Sequence, residues 1–283
     1  MDYFSYLKHD PMNVFYSSNT AIGLYARQKW LHQEDTIAWK NDFRETADSL
    51  FAGQLPNGSW DDSLLTTAHR LFGLHLTVRN INERIEKALE WLLSQEVFLE
   101  KEANLHVQSE KVFTTDLQNL PFSHGCFGHF AKCAILFLAT IFGKEHDARV
   151  IRVYEMLSMM GEKEGQSCTW SFLNNFLRAF VVHPAYKEGG AVKLFVSRLK
   201  EVQRADGSWP PQIPFYHTVN ALGHLNFAQS DELLRRAFRR LREKQHRDGT
   251  WGSTQKKWNT FLVIHAMQRK SHLLSMEKIQ NSP

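Results

Sequence analysis

The stretch "QRADGSWPP" spans Gln203 to Pro211, and variants of its first seven residues occur twice more, as "QLPNGSW" (Gln54 to Trp60) and "QHRDGTW" (Gln245 to Trp251). In each copy an apolar residue (Leu50, Leu199, Leu241) precedes the Gln by four, the spacing of one helical face. Gly58, Gly207 and Gly249 permit positive φ, and Asn57, Asp206 and Asp248 before them supply the side-chain acceptor of a tight turn. Each Trp ring is expected to cover the end of a neighbouring helix, and each Gln amide to bond backbone groups left open there. Trp91 to Gln95 is a degenerate fourth copy without the Gly-x-Trp.

These turns read as joints between helical hairpins. Trp209 and Trp251 lie 42 residues apart, and Trp60 and Trp209 lie 149 apart, close to three further repeats whose signature has decayed. Units that bury only one face against a neighbour make a solenoid or a closed ring.

Between the joints the chain is helix after helix with almost no strand. Helical periodicity is read over 21–31, 44–54, 64–76, 81–95, 124–143, 147–162, 171–182, 191–203, 216–225, 231–245 and 259–270. About eleven or twelve helices suit one ring of about six hairpins. The exception is the long polar joint from Glu96 to Pro121, expected to be an ordered insertion or a lid.

Composition bounds the function. With 283 residues, 43% hydrophobic and 23% charged, the chain suits one folded domain over 1–283, with a repeat core at about 21–270 and a short tail at 271–283. The formal charge of +4 is concentrated in "LLRRAFRRLREKQHR" (Leu233 to Arg247), an amphipathic helix with a solvated basic face rather than a nucleic-acid surface. The longest apolar stretch, Cys133 to Phe142, is far short of the roughly 20 residues needed to cross a bilayer, and the start is no secretory signal. A cytoplasmic protein is expected, with peripheral membrane contact left open. Three cysteines, an odd number, read as reduced thiols.

The Gln-x3-Gly-x-Trp turn, followed by small-residue helices in "SWDDSLLTTAHRLFGL", "SWPPQIPFYHTVNALGHL" and "TWGSTQKKWNTFLVIHAM", resembles the prenyltransferase and squalene-cyclase repeat family. The resemblance covers most of the chain and implies an all-α fold, a single α/α toroid of the terpenoid cyclase and protein prenyltransferase type. It also implies a central cavity for an isoprenoid or other apolar small molecule; it names no protein partner.

Two chemistries follow from the resemblance. Class II cyclases protonate their substrate with an Asp of a D-x-D-D motif, which this sequence lacks; the pair Asp61-Asp62 comes nearest to it, and at a helix start it also has a structural reading. Protein prenyltransferase β subunits hold a catalytic Zn²⁺ through Asp-x-Cys and a later His. His124-Gly125-Cys126 and His217 are the corresponding candidates for Zn²⁺, with His124 in place of the family's Asp. Trp170, Phe172, Phe215 and Tyr216 are expected to supply apolar, cation-stabilising cavity walls. Glycoside chemistry would draw on Asp61, Asp62, Asp116 and Glu164, whose spacing selects none of them. The alternative is a non-catalytic binding or scaffold protein that keeps the ring without an active site.

Overall fold

The computed structural model describes residues 6–99, 111–112, 117–164 and 168–274. Its helices are α1 (Ala21–Lys29), α2 (Ile37–Phe51), α3 (Leu64–Leu76), α4 (Glu83–Leu93), α5 (Glu96–Leu99), α6 (Phe127–Ile141), α7 (Ala148–Glu164), α8 (Trp170–Phe180), α9 (Gly190–Val202), α10 (Phe215–Leu222), α11 (Ala228–Glu243) and α12 (Lys256–Arg269), after a short 3-10 turn at Pro11–Val14. A two-residue hairpin, β1 (Lys111–Val112) with β2 (Gly125–Cys126), is the sheet structure among the described residues. Thr20, Thr36, Ser63, Asn82 and Thr169 cap their helices by accepting backbone N–H bonds.

The packing closes a ring. α1 meets α3, α3 meets α6, α6 meets α8, α8 meets α10, α10 meets α12, and α12 returns to α1. These six form the inner wall. Burial follows: every residue of Phe130–Thr140 in α6, Phe172–Phe180 in α8 and Trp258–Ile264 in α12 is buried, as a helix packed on all sides must be. α2, α4, α7, α9 and α11 pack outside, and the sixth outer position is taken by the Pro11–Val14 turn against α12. The all-α toroid is therefore present, with one continuous apolar core. No helix of the described residues is long and apolar enough to cross a membrane.

The three turns have one geometry. Asn57, Asp206 and Asp248 each accept from the backbone N–H and hydroxyl of the residue two on. The indole Nε1–H of Trp60, Trp209 and Trp251 donates to the carbonyls of Ala52, Leu199 and Leu241, at 2.9, 2.9 and 2.7 Å. These carbonyls lie at the C-terminal end of the preceding outer helix, where no intrahelical donor remains.

The Gln does something other than the sequence suggests. Its Nε2 bonds the turn's own Gly carbonyl and reaches the next outer element, at Arg84 from Gln54, Leu233 from Gln203 and His9 from Gln245. The Trp thus satisfies the open helix end, and the Gln ties one hairpin to the next. At the last joint, Gln245 Oε1 also accepts from the backbone N–H of Lys8 and His9, both at 3.0 Å.

Two further differences have local causes. α2 begins at Ile37 rather than Arg44, because Thr36 caps it and Trp39 stacks on Phe43 in its first turns. Most of the expected 96–121 insertion lies outside the described residues, but Leu117 and Leu120 at its end are buried in the core. On α11, Arg236 pairs with Glu232 and Arg240 with Asp206, so part of the basic face is neutralised within the fold.

The glycines give a clean test. Gly53 and Gly207 have φ of +74° and +80°, but a Cβ on Gly53 meets nothing, whereas one on Gly207 lies 2.2 Å from the Arg236 carbonyl oxygen. Gly53→Ala should cost about 1 kcal/mol of backbone strain, and Gly207→Ala more than about 3 kcal/mol by parting the α9 and α11 hairpins. Urea unfolding measures both; equal losses would remove the close approach as the reason for Gly207.

Candidate functional site

A half-open cavity of about 530 Å³ lies between α1, α3 and α12, with Leu50 of the outer helix α2 in its wall. Its apolar wall is Ile22, Leu50, Phe72, Leu76 and Trp258, and its polar edge carries His69, Arg70, Lys256 and Lys257. His69, Phe72, Gly73 and Leu76 fall at i, i+3, i+4 and i+7 and so present one face of α3. Gly73 has its own reason there: a Cβ would approach a Leu50 methyl to 2.7 Å. Gln118 and Asn119, at the end of the long joint, supply another part of the wall.

The edge cations are tethered. Arg70 donates to the Ser49 carbonyl at 2.6 Å, Lys257 to Ser18 Oγ at 3.1 Å, and Lys256 to Asp248 at 3.0 Å. Among the described residues no carboxylate lines the cavity. The volume falls within the range of small-molecule sites, which are mostly apolar with a few placed polar groups.

His217 sits beside this cavity against one of its walls. The Trp258 Nε1–H points at His217 Nε2 across 3.5 Å, and the Leu120 backbone takes the bond from the other ring nitrogen. An indole is only a donor, so Nε2 is the acceptor and the proton sits on Nδ1. Desolvation is the main force that pushes the His217 pKa down to about 4, with the nearby positive charge of Arg178 adding to it, while the Leu120 bond opposes the shift. The imidazole is therefore neutral at pH 7 and has both nitrogens in use.

The other expected site residues lie elsewhere. Asp61 and Asp62 are exposed, with φ of +56° and +49°, and Asp62 Oδ1 accepts from Asn57 Nδ2 at 2.7 Å and Ser59 Oγ at 3.1 Å. They shape the first repeat turn. His124 is exposed, and Cys126 ends β2 at the start of α6. Among the described residues no three His, Cys, Asp or Glu side chains converge as a metal site, so His124, Cys126 and His217 are not brought together as one.

The aromatic candidates are placed by other partners. The Arg198 guanidinium lies 4.7 Å over Trp170, Phe172 packs on His129 with centroids 5.0 Å apart, and Phe215 sits between Trp209 and Tyr216. None of the four is among the residues that line the 530 Å³ cavity. Its own aromatic walls, Phe72 and Trp258, meet edge to face at 6.1 Å.

No family profile and no curated protein matches the chain in sequence. Solved structures do match in fold. A variant of the type II terpene cyclase MstE from Scytonema, in complex with its substrate geranylgeranyl dihydroxybenzoate, is similar at a TM-score of 0.57 and 11% identity, over 90% of this chain and 87% of that one. A protein from Actinoplanes is similar at a TM-score of 0.56 and 15% identity, over 90% of both chains.

The chain thus has the α/α toroid fold of a type II terpene cyclase. The protonation state of His217 makes a pH prediction. A His whose pKa falls from 6.5 unfolded to about 4 folded leaves the unfolded chain binding more protons between those values. Its contribution is complete above pH 6.5 and is lost as pH falls toward 4. Urea midpoints measured across that window should decline, and His217→Gln should flatten the decline; an identical slope in the variant would contradict the assignment.

Proposed function

We propose that the chain binds an isoprenoid or similarly elongated apolar molecule in the cavity between α1, α3 and α12. The observation that carries this reading is the cavity itself: about 530 Å³ of space in a chain with the terpene-cyclase fold, walled by Ile22, Leu50, Phe72, Leu76 and Trp258. Burying an apolar chain there gains on the order of 25 cal/mol per Å² removed from water. The polar edge of Arg70, Lys256 and Lys257 leaves a polar or anionic head group at the opening. A prenylated aromatic acid bound by the Scytonema cyclase fits this class of ligand.

Binding without cyclisation is the reading favoured over a protonating enzyme. Class II chemistry needs a protein acid aimed at the alkene, and the described lining has none, while Asp62 bonds Asn57 and Ser59 within the turn. The scaffold reading differs in leaving the cavity empty of any ligand.

Titration with farnesol, followed by thermal unfolding, tests the reading. Wild type should rise in Tm with ligand, and Ala21→Trp, which fills the cavity from α1, should weaken the affinity at least about tenfold, equivalent to 1.4 kcal/mol. No Tm rise in wild type, or an equal rise in the variant, would refute binding at this place. Geranylgeranyl diphosphate incubated with the protein should be recovered unchanged by mass spectrometry; a cyclised product would instead establish a cyclase.

A further inference from the structure

The end of the long joint does more than complete the cavity wall. The stretch "LQNLPFS", Leu117 to Ser123, lies between α5 and α6 and carries three large apolar residues, Leu117, Leu120 and Phe122. The Leu120 N–H closes a tight turn on the Leu117 carbonyl at 3.0 Å, with Asn119 at a left-handed φ of +62° that Asn tolerates. The turn leaves Gln118 and Asn119 on the cavity wall, while Leu117, Leu120 and Phe122 are buried in the core.

Beyond the turn, the segment is held by inner helices. Phe122 meets Phe130 and Phe137 of α6 edge to face, with both centroids 5.6 Å away. The Leu120 backbone takes a bond from His217 of α10. Asn175 of α8 clasps Ser123 on both sides: its Oδ1 accepts from the Ser123 N–H at 2.6 Å, and its Nδ2 donates to the Ser123 carbonyl at 3.0 Å. Gln118 and Asn119 share the cavity with residues of α1, α3 and α12. A buried strap that touches α6, α8 and α10 and borders the cavity of the other three inner helices runs through the interior of the ring.

The cavity stops at this strap. Every other described lining residue lies in α1, α2, α3 or α12 or caps one of them, so residues 118 and 119 are the wall that is not helix. Behind the aromatic walls are side chains: Phe72 meets Phe137 at 5.9 Å, Phe137 meets Phe122, and Trp258 meets His217 at 6.4 Å. The seat of the strap is incompletely satisfied, because the Ser123 hydroxyl is buried without a hydrogen-bond partner among the described residues. A wall clasped by one side-chain amide, with an unpaired hydroxyl beneath it, is held less firmly than the helices around it.

We propose that residues 117–123 are an internal stop: they take the room that the far end of a long apolar ligand would fill, and so limit the cavity to short ones. Asn175 is the positioning residue that latches the stop. The inference rests on the reading of the cavity as a site for apolar chains and adds its length selectivity. A ligand that displaces the strap binds more weakly by the cost of undocking it, and a looser strap returns that affinity.

Titration of wild type and Asn175→Leu with farnesol and with geranylgeraniol, one isoprene unit longer, followed by thermal unfolding, tests the stop. Given room, burial of the extra unit would tighten binding at least about tenfold. Wild type should bind geranylgeraniol no more tightly than farnesol. Asn175→Leu, similar in size but without the amide, should bind geranylgeraniol at least about tenfold more tightly than wild type does, with farnesol little changed. A merely structural Asn175 would weaken both alcohols alike. In the variant, bound geranylgeraniol should also speed amide exchange at Leu120, whose N–H closes the turn. If Asn175→Leu does not fold, Pro121→Gly, which frees the strap backbone, carries the comparison. Wild type that binds neither alcohol would sink the cavity reading; the stop then stands if the variant gains geranylgeraniol binding and falls if it does not. Geranylgeraniol about tenfold tighter than farnesol in wild type, an unchanged preference in the folded variant, or unmoved exchange at Leu120 would overturn the stop.

Discussion

The structure depends on one close approach, that of a turn glycine to the backbone of the next outer element. At Gly58, Gly207 and Gly249 an added Cβ would lie 2.4, 2.2 and 2.0 Å from the carbonyl oxygens of Lys87, Arg236 and Asp10. With φ near +80° to +100° as well, no other residue meets both demands. That contact brings the Gln amide within reach of the next element and lets the Trp indole turn back to the helix it follows. Each joint is thus two-sided. The third joint acts on residues 8–10 instead of a helix, and so makes an open succession of hairpins into a ring.

Closure has chemical consequences. An inner helix in a closed ring is surrounded, so its polar residues face either a neighbour or the central space. His217 and Arg178 are both cases of this constraint: burial keeps the imidazole neutral, and the guanidinium is held by Asn220, His224 and the Phe137 face.

The ring was legible in the sequence because its joints are written in Gly, Gln and Trp, and the helices because their apolar spacing is regular. The site was not legible for the same physical reason that makes the inner wall. A helix buried on all sides, such as α6 or α8, gives no exposed face by which to tell cavity from core, so Phe172 could not be told apart from Phe72. One signal did exist, the His69, Phe72, Gly73 and Leu76 stripe on α3. Asp61 and Asp62 attract notice as paired carboxylates, yet both have left-handed backbone in the turn and Asp62 accepts from Asn57 and Ser59 there. The closing segment before α1 carries no repeat signature, because it is received by a joint and does not make one.

Amide hydrogen exchange at Lys8 and His9 tests the closed ring most directly. Both amides donate to Gln245 Oε1 across the last joint, although they stand more than two hundred residues away in sequence. The account predicts exchange slowed to the level of the core helices, and faster exchange at both amides in Gln245→Leu. Exchange at the rate of an unfolded peptide in the wild-type protein would contradict closure and leave an open solenoid.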